Sequence, residues 1–136
     1  MIGLDTNMVM RWLALGSITD AEGVMQGEQA TAFLEREVAP IFINHVVLVE
    51  VVWLLRQKVK MARPAVSAFI FDMLDRPRIV VQDRDAVVAS LHSYEHHPGD
   101  FADHLIGEIN SRNGCRTTYT FDRAAARSPL FSELSR

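Results

Sequence analysis

The stretch IGLDTN (Ile2–Asn7) joins a short apolar run to an acidic residue and then to two residue types that favour the first positions of a helix. Three further segments place an acid in similar surroundings: VEVV (residues 49–52), DFAD (100–103) and TFDR (120–123). Each lies where a predicted strand gives way to a helix or within the first turns of a helix. Because ligands of parallel α/β folds bind outside the carboxyl ends of the strands, these acids are candidates for one common site.

Composition and charge limit the classes of protein to which the chain can belong. Its 136 residues, 49% of them hydrophobic and 23% charged, are typical of a single globular domain over residues 1–136. The formal net charge of −3 argues against a large basic surface for nucleic acid, although bound cations can still attract phosphate to an acidic site. Cys115 is the one cysteine, so an internal disulfide is excluded.

The apolar stretches of the chain are short. Asp5 interrupts the first of them, so the pattern of a secretory signal is not seen. The longest uncharged stretches, near residues 40–49 and 51–55, fall far below the roughly 20 residues of a membrane-spanning helix. We therefore expect a soluble, cytoplasmic protein that does not associate with membranes.

Hydrophobic periodicity and capping residues predict an alternating series of helices and strands. Strands are predicted at residues 2–4, 41–43, 79–81 and 117–121, with a short edge strand near 130–134. Helices are predicted at residues 8–15, ending at Gly16, and at 22–38, 46–60, 65–75, 84–92 and 100–113. This order is typical of a three-layer α/β/α fold with a central, mainly parallel sheet of four to five strands.

The acids of these segments predict a site for a divalent metal ion. Converging carboxylates repel one another unless a cation neutralises them, and their hard oxygen atoms suit Mg²⁺ or Mn²⁺. Glu50 is the strongest candidate, because four valines and a leucine surround it and no lysine or arginine lies within five positions. A buried carboxylate without a partner is costly unless it binds a metal. For Asp5, Asp100 and Asp122, a helix cap or a turn is an alternative explanation.

The arrangement resembles the PIN-domain family, and more closely its VapC-type toxins, which are small single-domain ribonucleases of toxin–antitoxin pairs. The matching motifs follow the family's order over nearly the whole chain: LDTN (residues 4–7), LVEV (48–51), DFADHLI (100–106) and YTFD (119–122). The chain departs from the family at His104 and Glu108, where small residues are common. It also lacks the glycine often found before the last strand and has RSPL (127–130) there.

The resemblance implies a site and a set of partners. The acidic residues would be both catalytic and metal-binding, with one additional acid beside them and two supporting hydroxyl groups. RNA would be cleaved by a water molecule activated by Mg²⁺ or Mn²⁺. The resemblance also implies a VapB-like antitoxin that holds the enzyme inactive, and a homodimer. The four acids are Asp5, Glu50, Asp103 and Asp122, the additional acid is Asp100, and the hydroxyls are those of Thr6 and Thr120.

Three other classes of protein are alternatives. A PIN fold that has lost its activity would serve as an RNA- or protein-binding module, but all four acids are present here. A phosphatase of the haloacid dehalogenase type needs a second aspartate two residues after the first, and Asn7 occupies that position. A receiver domain of a signalling pathway needs adjacent acids at the end of its first strand and a lysine after a late strand, and the chain has neither.

Overall fold

The computed structural model describes residues 1–14 and 20–134 and shows a mixed α/β protein. The predicted order of elements is confirmed, with boundaries that differ by a few residues. The predicted end of the first helix at Leu15 and Gly16 lies outside the described residues. In chain order the elements are β1 (Ile2–Gly3), α1 (Thr6–Leu13), α2 (Ala21–Arg36), β2 (Ile41–Ile43), α3 (His45–Gln57), α4 (Arg63–Leu74), β3 (Ile79–Val81), α5 (Arg84–His96), α6 (Phe101–Arg112), β4 (Thr118–Thr120), a short 3-10 helix (Ala125–Arg127) and β5 (Phe131–Glu133).

The described strands are parallel, as predicted, but they pair as three plus two. One sheet has the order β1-β2-β3, and β4 pairs with β5 in the other. A single central sheet of four or five strands is therefore not seen in the hydrogen bonding. Each strand is only two or three residues long. Few backbone groups are therefore available to form hydrogen bonds with a further strand.

The chain divides into two compact units, and the first consists of residues 1–61 and 72–82. Its sheet has β2 at the centre, where Ile41 pairs with Ile2 on one side and Ile79 on the other. Asn44 caps α3, as predicted, by accepting a hydrogen bond from the Val47 amide at 2.9 Å. The core of this unit includes the strand interiors and one face of α3, whose buried residues are Val47, Leu48, Val51, Val52 and Leu55.

The second unit consists of residues 62–71 and 83–136. Helices α5 and α6 pack against each other, and their buried side chains include Leu91, Phe101 and Leu105. Helix α6 also lies close to β5 at Gly107, where an added Cβ would come within 2.6 Å of the Phe131 ring. A glycine is therefore needed at that point of α6 for the helix to approach the strand.

Candidate acidic site

Asp5 lies directly after β1 and caps α1. Its Oδ1 atom accepts a hydrogen bond from the Met8 amide at 2.9 Å, and the side chain is exposed. The capping alternative is thus confirmed, but the cap uses one carboxylate oxygen. Within residues 1–14 and 20–134, the second oxygen has no hydrogen-bond partner, so it remains available to a ligand. Thr6 follows as the first residue of α1 and is half-buried.

Glu50 does not have the environment that its sequence context predicted. It lies on the exposed side of α3, between Val46 and Trp53, which are 67% and 55% exposed. Helical spacing predicts that Glu50 shares a face with Val47 and Val51, but those residues are buried on another face. The prediction that Glu50 is buried was wrong, because some of its apolar neighbours in the sequence lie on the surface of α3 and others in the core. As a site residue Glu50 stays a prediction that rests on the resemblance.

Asp100 and Asp103 lie in the first turn of α6. Asp100 occupies the N-cap position, as predicted. Asp103, three residues later, accepts a hydrogen bond at its Oδ2 atom from the Asp100 amide at 3.2 Å. This contact is typical of the return half of a capping box, and the helix dipole favours negative charge at this end. The two carboxylates therefore share one turn, with Asp103 half-buried and Asp100 exposed.

Asp122 follows β4, and the backbone holds its side chain in place. The Oδ1 atom accepts hydrogen bonds from the amides of Ala124 at 2.8 Å and Ala125 at 3.3 Å. Thr120 supports the same turn, because its hydroxyl oxygen accepts a hydrogen bond from the Asp122 amide at 2.9 Å. The carboxylate is thus oriented at the end of a strand while it remains exposed.

The five acids share the absence of a compensating cation. Within the described ranges, none of them forms an ion pair with a lysine, arginine or histidine. The first unit contains Asp5 and Glu50, and the second contains the other three.

Among these described residues no group of three or more His, Cys, Asp or Glu side chains is arranged to hold a metal ion. A preformed cage is therefore not seen. Magnesium does not require one, because it commonly binds through one or two carboxylates together with water and substrate phosphate. The donor chemistry of the acids fits such an ion.

Arg63 has a structural role that the sequence did not predict, because it connects three carbonyl groups in the second unit. Its guanidinium donates hydrogen bonds to the carbonyls of Tyr94 at 2.6 Å, His97 at 3.0 Å and Gly99 at 2.8 Å. It also lies 3.9 Å from the centre of the Tyr94 ring. Gly99 immediately precedes the Asp100 cap, so Arg63 fixes the segment that leads into the acids of α6. Nothing in the local sequence signalled these contacts, because the partners lie more than 30 positions away.

His104 is the second residue that sequence reasoning did not assign. It follows Asp103 in α6 and is almost fully buried, and its Nε2 atom has no hydrogen-bond partner within the described part of the chain. Burial lowers the pKa of the imidazole below its ordinary value, and the positive charge of Arg63 acts in the same direction. The carbonyls of His97 and Pro98 partly oppose this shift. The ring is therefore neutral in the folded protein near pH 7 and acts as a packing residue of the α6 turn.

No protein-family model matches the chain, and no curated protein matches its sequence. Among solved structures, the chain is similar to that of VapC20 from Mycobacterium tuberculosis, described as a toxin that cleaves the sarcin–ricin loop. The identity is 19%, the match covers 96% of each chain, and the TM-score is 0.42. Separately, none of the helices in the described ranges is both long and apolar enough to cross a bilayer.

Proposed function

We propose that this protein is a metal-dependent endoribonuclease that acts in the cytoplasm as the toxin of a VapBC-type toxin–antitoxin pair. One observation carries the proposal: the acids of the PIN-like motifs are exposed or half-buried, and no described cation neutralises them. Ordinary surface acids often have a nearby lysine or arginine. Acids that are left uncompensated are suited to an external cation, and backbone hydrogen bonds hold three of them, Asp5, Asp103 and Asp122, in place.

Each acid has a role in this proposal. A bound Mg²⁺ or Mn²⁺ would supply an activated water molecule and neutralise charge on the cleaved phosphodiester. The protein's own contribution would be to hold the ligands in position, since the cap at Asp5 and the turn at Asp122 each fix one carboxylate oxygen and leave the other. The ligands would be Asp5, Glu50, Asp103 and Asp122, with Asp100 beside them and Thr6 and Thr120 in support.

Metal dependence is tested by incubating the purified protein with RNA and either Mg²⁺, Mn²⁺ or EDTA. We expect cleavage with the metals and none with EDTA, because the described part of the chain offers no serine, cysteine or histidine arrangement for direct attack. Cleavage that continues undiminished in EDTA would reject the metal mechanism.

Asp5 and Asp20 form a matched pair that separates capping from catalysis. Both are helix N-caps whose carboxylates accept a hydrogen bond from the amide three residues later, at 2.9 Å and 2.7 Å. Asparagine caps about as well as aspartate, so Asp5→Asn and Asp20→Asn should both fold with wild-type stability to within about 1 kcal/mol. Only Asp5→Asn should lose RNA cleavage. Equal activity of the two variants would remove Asp5 from the site.

The remaining acids are tested in the same way. Glu50→Gln, Asp103→Asn and Asp122→Asn should abolish cleavage while the protein stays folded, and relief of repulsion between like charges can make them more stable without metal. Asp100→Asn should have a smaller effect, since its charge is accessory. A fully active Glu50→Gln variant would show that Glu50 is not a site residue.

Control by a partner protein completes the proposal. Acids that have no ion-pair partner in the described ranges are suitable contacts for an arginine or lysine of an antitoxin, which would compete with the metal through charge-assisted hydrogen bonds. Expression alone should arrest bacterial growth, and co-expression with the protein encoded immediately upstream should restore it. We also expect a homodimer, which light scattering of the purified protein would measure.

An inactive PIN-like module is the second candidate. The observation that favours it is the lack of any three-ligand group among the described side chains. Harmless expression of folded protein, together with no RNA cleavage in either metal, would establish this alternative.

A further inference from the structure

The small β4–β5 sheet of the second unit exposes an aromatic face. Thr118 pairs with Phe131, which is buried, while the next residue, Tyr119, pairs with Ser132 on the opposite face. Tyr119 and Phe121 are each 59% exposed, and Leu134 beside them is about half exposed. Aromatic side chains usually bury most of their surface, so two exposed rings on a sheet this small suggest a binding surface.

The spacing of the two rings suits a chain of nucleotides. Tyr119 lies in β4 and Phe121 lies one residue beyond the end of that strand, so the two exposed rings are neighbours along the chain. Successive bases of single-stranded nucleic acid commonly stack on aromatic side chains of a sheet, one base to a ring. Double-stranded RNA cannot use such rings, because its bases are already stacked on one another.

Positive charge surrounds these rings, although the chain as a whole is acidic. Between residues 116 and 134 there are three arginines and two acids, a net charge of +1, compared with −3 for the whole chain. Arg116 donates a hydrogen bond to the Tyr119 hydroxyl at 3.1 Å and has no ion-pair partner in the described ranges. Arg123 is 92% exposed and pairs at 3.6 Å with Glu133, a contact that contributes little at such exposure. Both guanidinium groups are therefore available to phosphate.

The aromatic face also adjoins a candidate catalytic residue. Phe121 directly precedes Asp122, whose carboxylate the turn fixes in place. A nucleotide stacked on Phe121 would bring its phosphate close to that acid. A protein partner fits less well, since a specific protein interface buries about 800 Å² on each side and this face offers three apolar side chains.

From these observations we propose that Tyr119 and Phe121 bind unpaired nucleotides of single-stranded RNA by stacking, with Arg116 contacting the adjacent phosphate. This inference rests on the proposed function, because it takes the substrate to be RNA. It adds the form of RNA that the protein accepts and the residues that select it.

The test is fluorescence anisotropy with two labelled RNAs in EDTA, where binding is measured without cleavage. One is a single strand of about eight nucleotides, within the usual range of such sites, and the other is a blunt duplex of the same sequence. We expect Tyr119→Leu and Phe121→Leu each to weaken binding of the single strand by about 5- to 150-fold, the usual effect of removing one base–ring stack. Tyr119→Phe, which keeps the ring, should stay within about threefold of wild type.

Ile106→Ala is the control, because Ile106 is an exposed apolar residue of α6 in the same unit. It should bind like wild type. Leucine variants that bind the single strand as tightly as wild type would overturn the inference, and so would tighter binding to the duplex. Loss of self-association in these variants, measured by size-exclusion chromatography, with RNA binding unchanged would also overturn it, by showing a protein interface.

The same experiments separate this inference from the proposed function. If the wild type cleaves RNA in Mg²⁺ and the leucine variants bind and cleave normally, the stacking face is wrong and the nuclease stands. If the leucine variants lose binding to the single strand while wild type never cleaves in either metal, the stacking face stands and the nuclease is wrong.

Discussion

Arg63→Lys is a small chemical change for which the structure predicts a large decrease in the free energy of unfolding. The arginine connects the last turn of α5 to the segment before α6 through three carbonyl groups. The carbonyl of Tyr94 depends on it most, because its normal helical donor would be the amide of residue 98, and Pro98 has no N–H. Lysine keeps the charge but not the planar, forked donor.

The magnitude follows from the number of bonds lost. A lysine ammonium at the end of a flexible chain can replace about one of the three hydrogen bonds. Each hydrogen bond from a charged donor contributes about 1.5 kcal/mol at the lower end of its range, which applies here because Arg63 is only half-buried. Losing two bonds should destabilise the protein by about 3 kcal/mol, since the lysine ammonium can keep the contact with the Tyr94 ring.

The assay is urea unfolding followed by far-ultraviolet circular dichroism. With a slope of about 2 kcal/mol per molar, the midpoint of Arg63→Lys should fall by about 1.5 M. Arg112→Lys is the control in the same unit, since Arg112 makes one long bond of 3.4 Å to the Asp85 carbonyl and an ion pair with Glu108 that a lysine can also form. Its midpoint should move by no more than about 0.5 M. Equal midpoints for the two variants would refute the reasoning.

Three further measurements test the packing and electrostatics of the second unit. Gly107→Ala should cost about 1–3 kcal/mol in the free energy of unfolding, because its Cβ would clash with the Phe131 ring, and Phe131→Leu in the same chain should restore part of the loss. The metal-free protein should lose stability as pH falls below about 6.5, by at most about 1.4 kcal/mol per pH unit from His104, because its lowered pKa means that the unfolded chain binds the proton more readily. A His104→Leu variant should show a smaller slope, and an unchanged slope would reject the assignment. Gly99→Ala should also destabilise, since Gly99 has a φ of +109° that other residues rarely adopt.

Most of the fold could be predicted from local signals. The strand at residues 41–43, the cap at Asn44 and the helix that follows are all encoded within a few positions of one another, and the structure confirms each. The pairing of strands could not be predicted as reliably, because it depends on contacts between distant residues. Each strand is so short that its apolar content carries little information about its neighbour.

In the candidate site, too, local features could be predicted and contacts between distant residues could not. The caps at Asp5 and Asp100 were visible as local alternatives, and the structure confirms them. The burial of Glu50 was wrongly inferred, because a run of valines predicts a helix but does not define which side of it faces the core. The hydrogen bonds of Arg63 could not be predicted, because its partners are brought to it by the fold.

Capping and metal binding are compatible roles for the same aspartate, and the structure gives a reason to expect both. A carboxylate that accepts a backbone hydrogen bond through one oxygen has already lost much of its rotational freedom. Binding a cation through the second oxygen then costs less conformational entropy than it would for a freely rotating side chain. The cap at Asp5 and the turn at Asp122 would thus orient both carboxylates before a metal binds. Asparagine preserves the cap and removes the charge. An asparagine variant with unchanged stability and no cleavage would therefore show that cleavage requires the charge of the carboxylate.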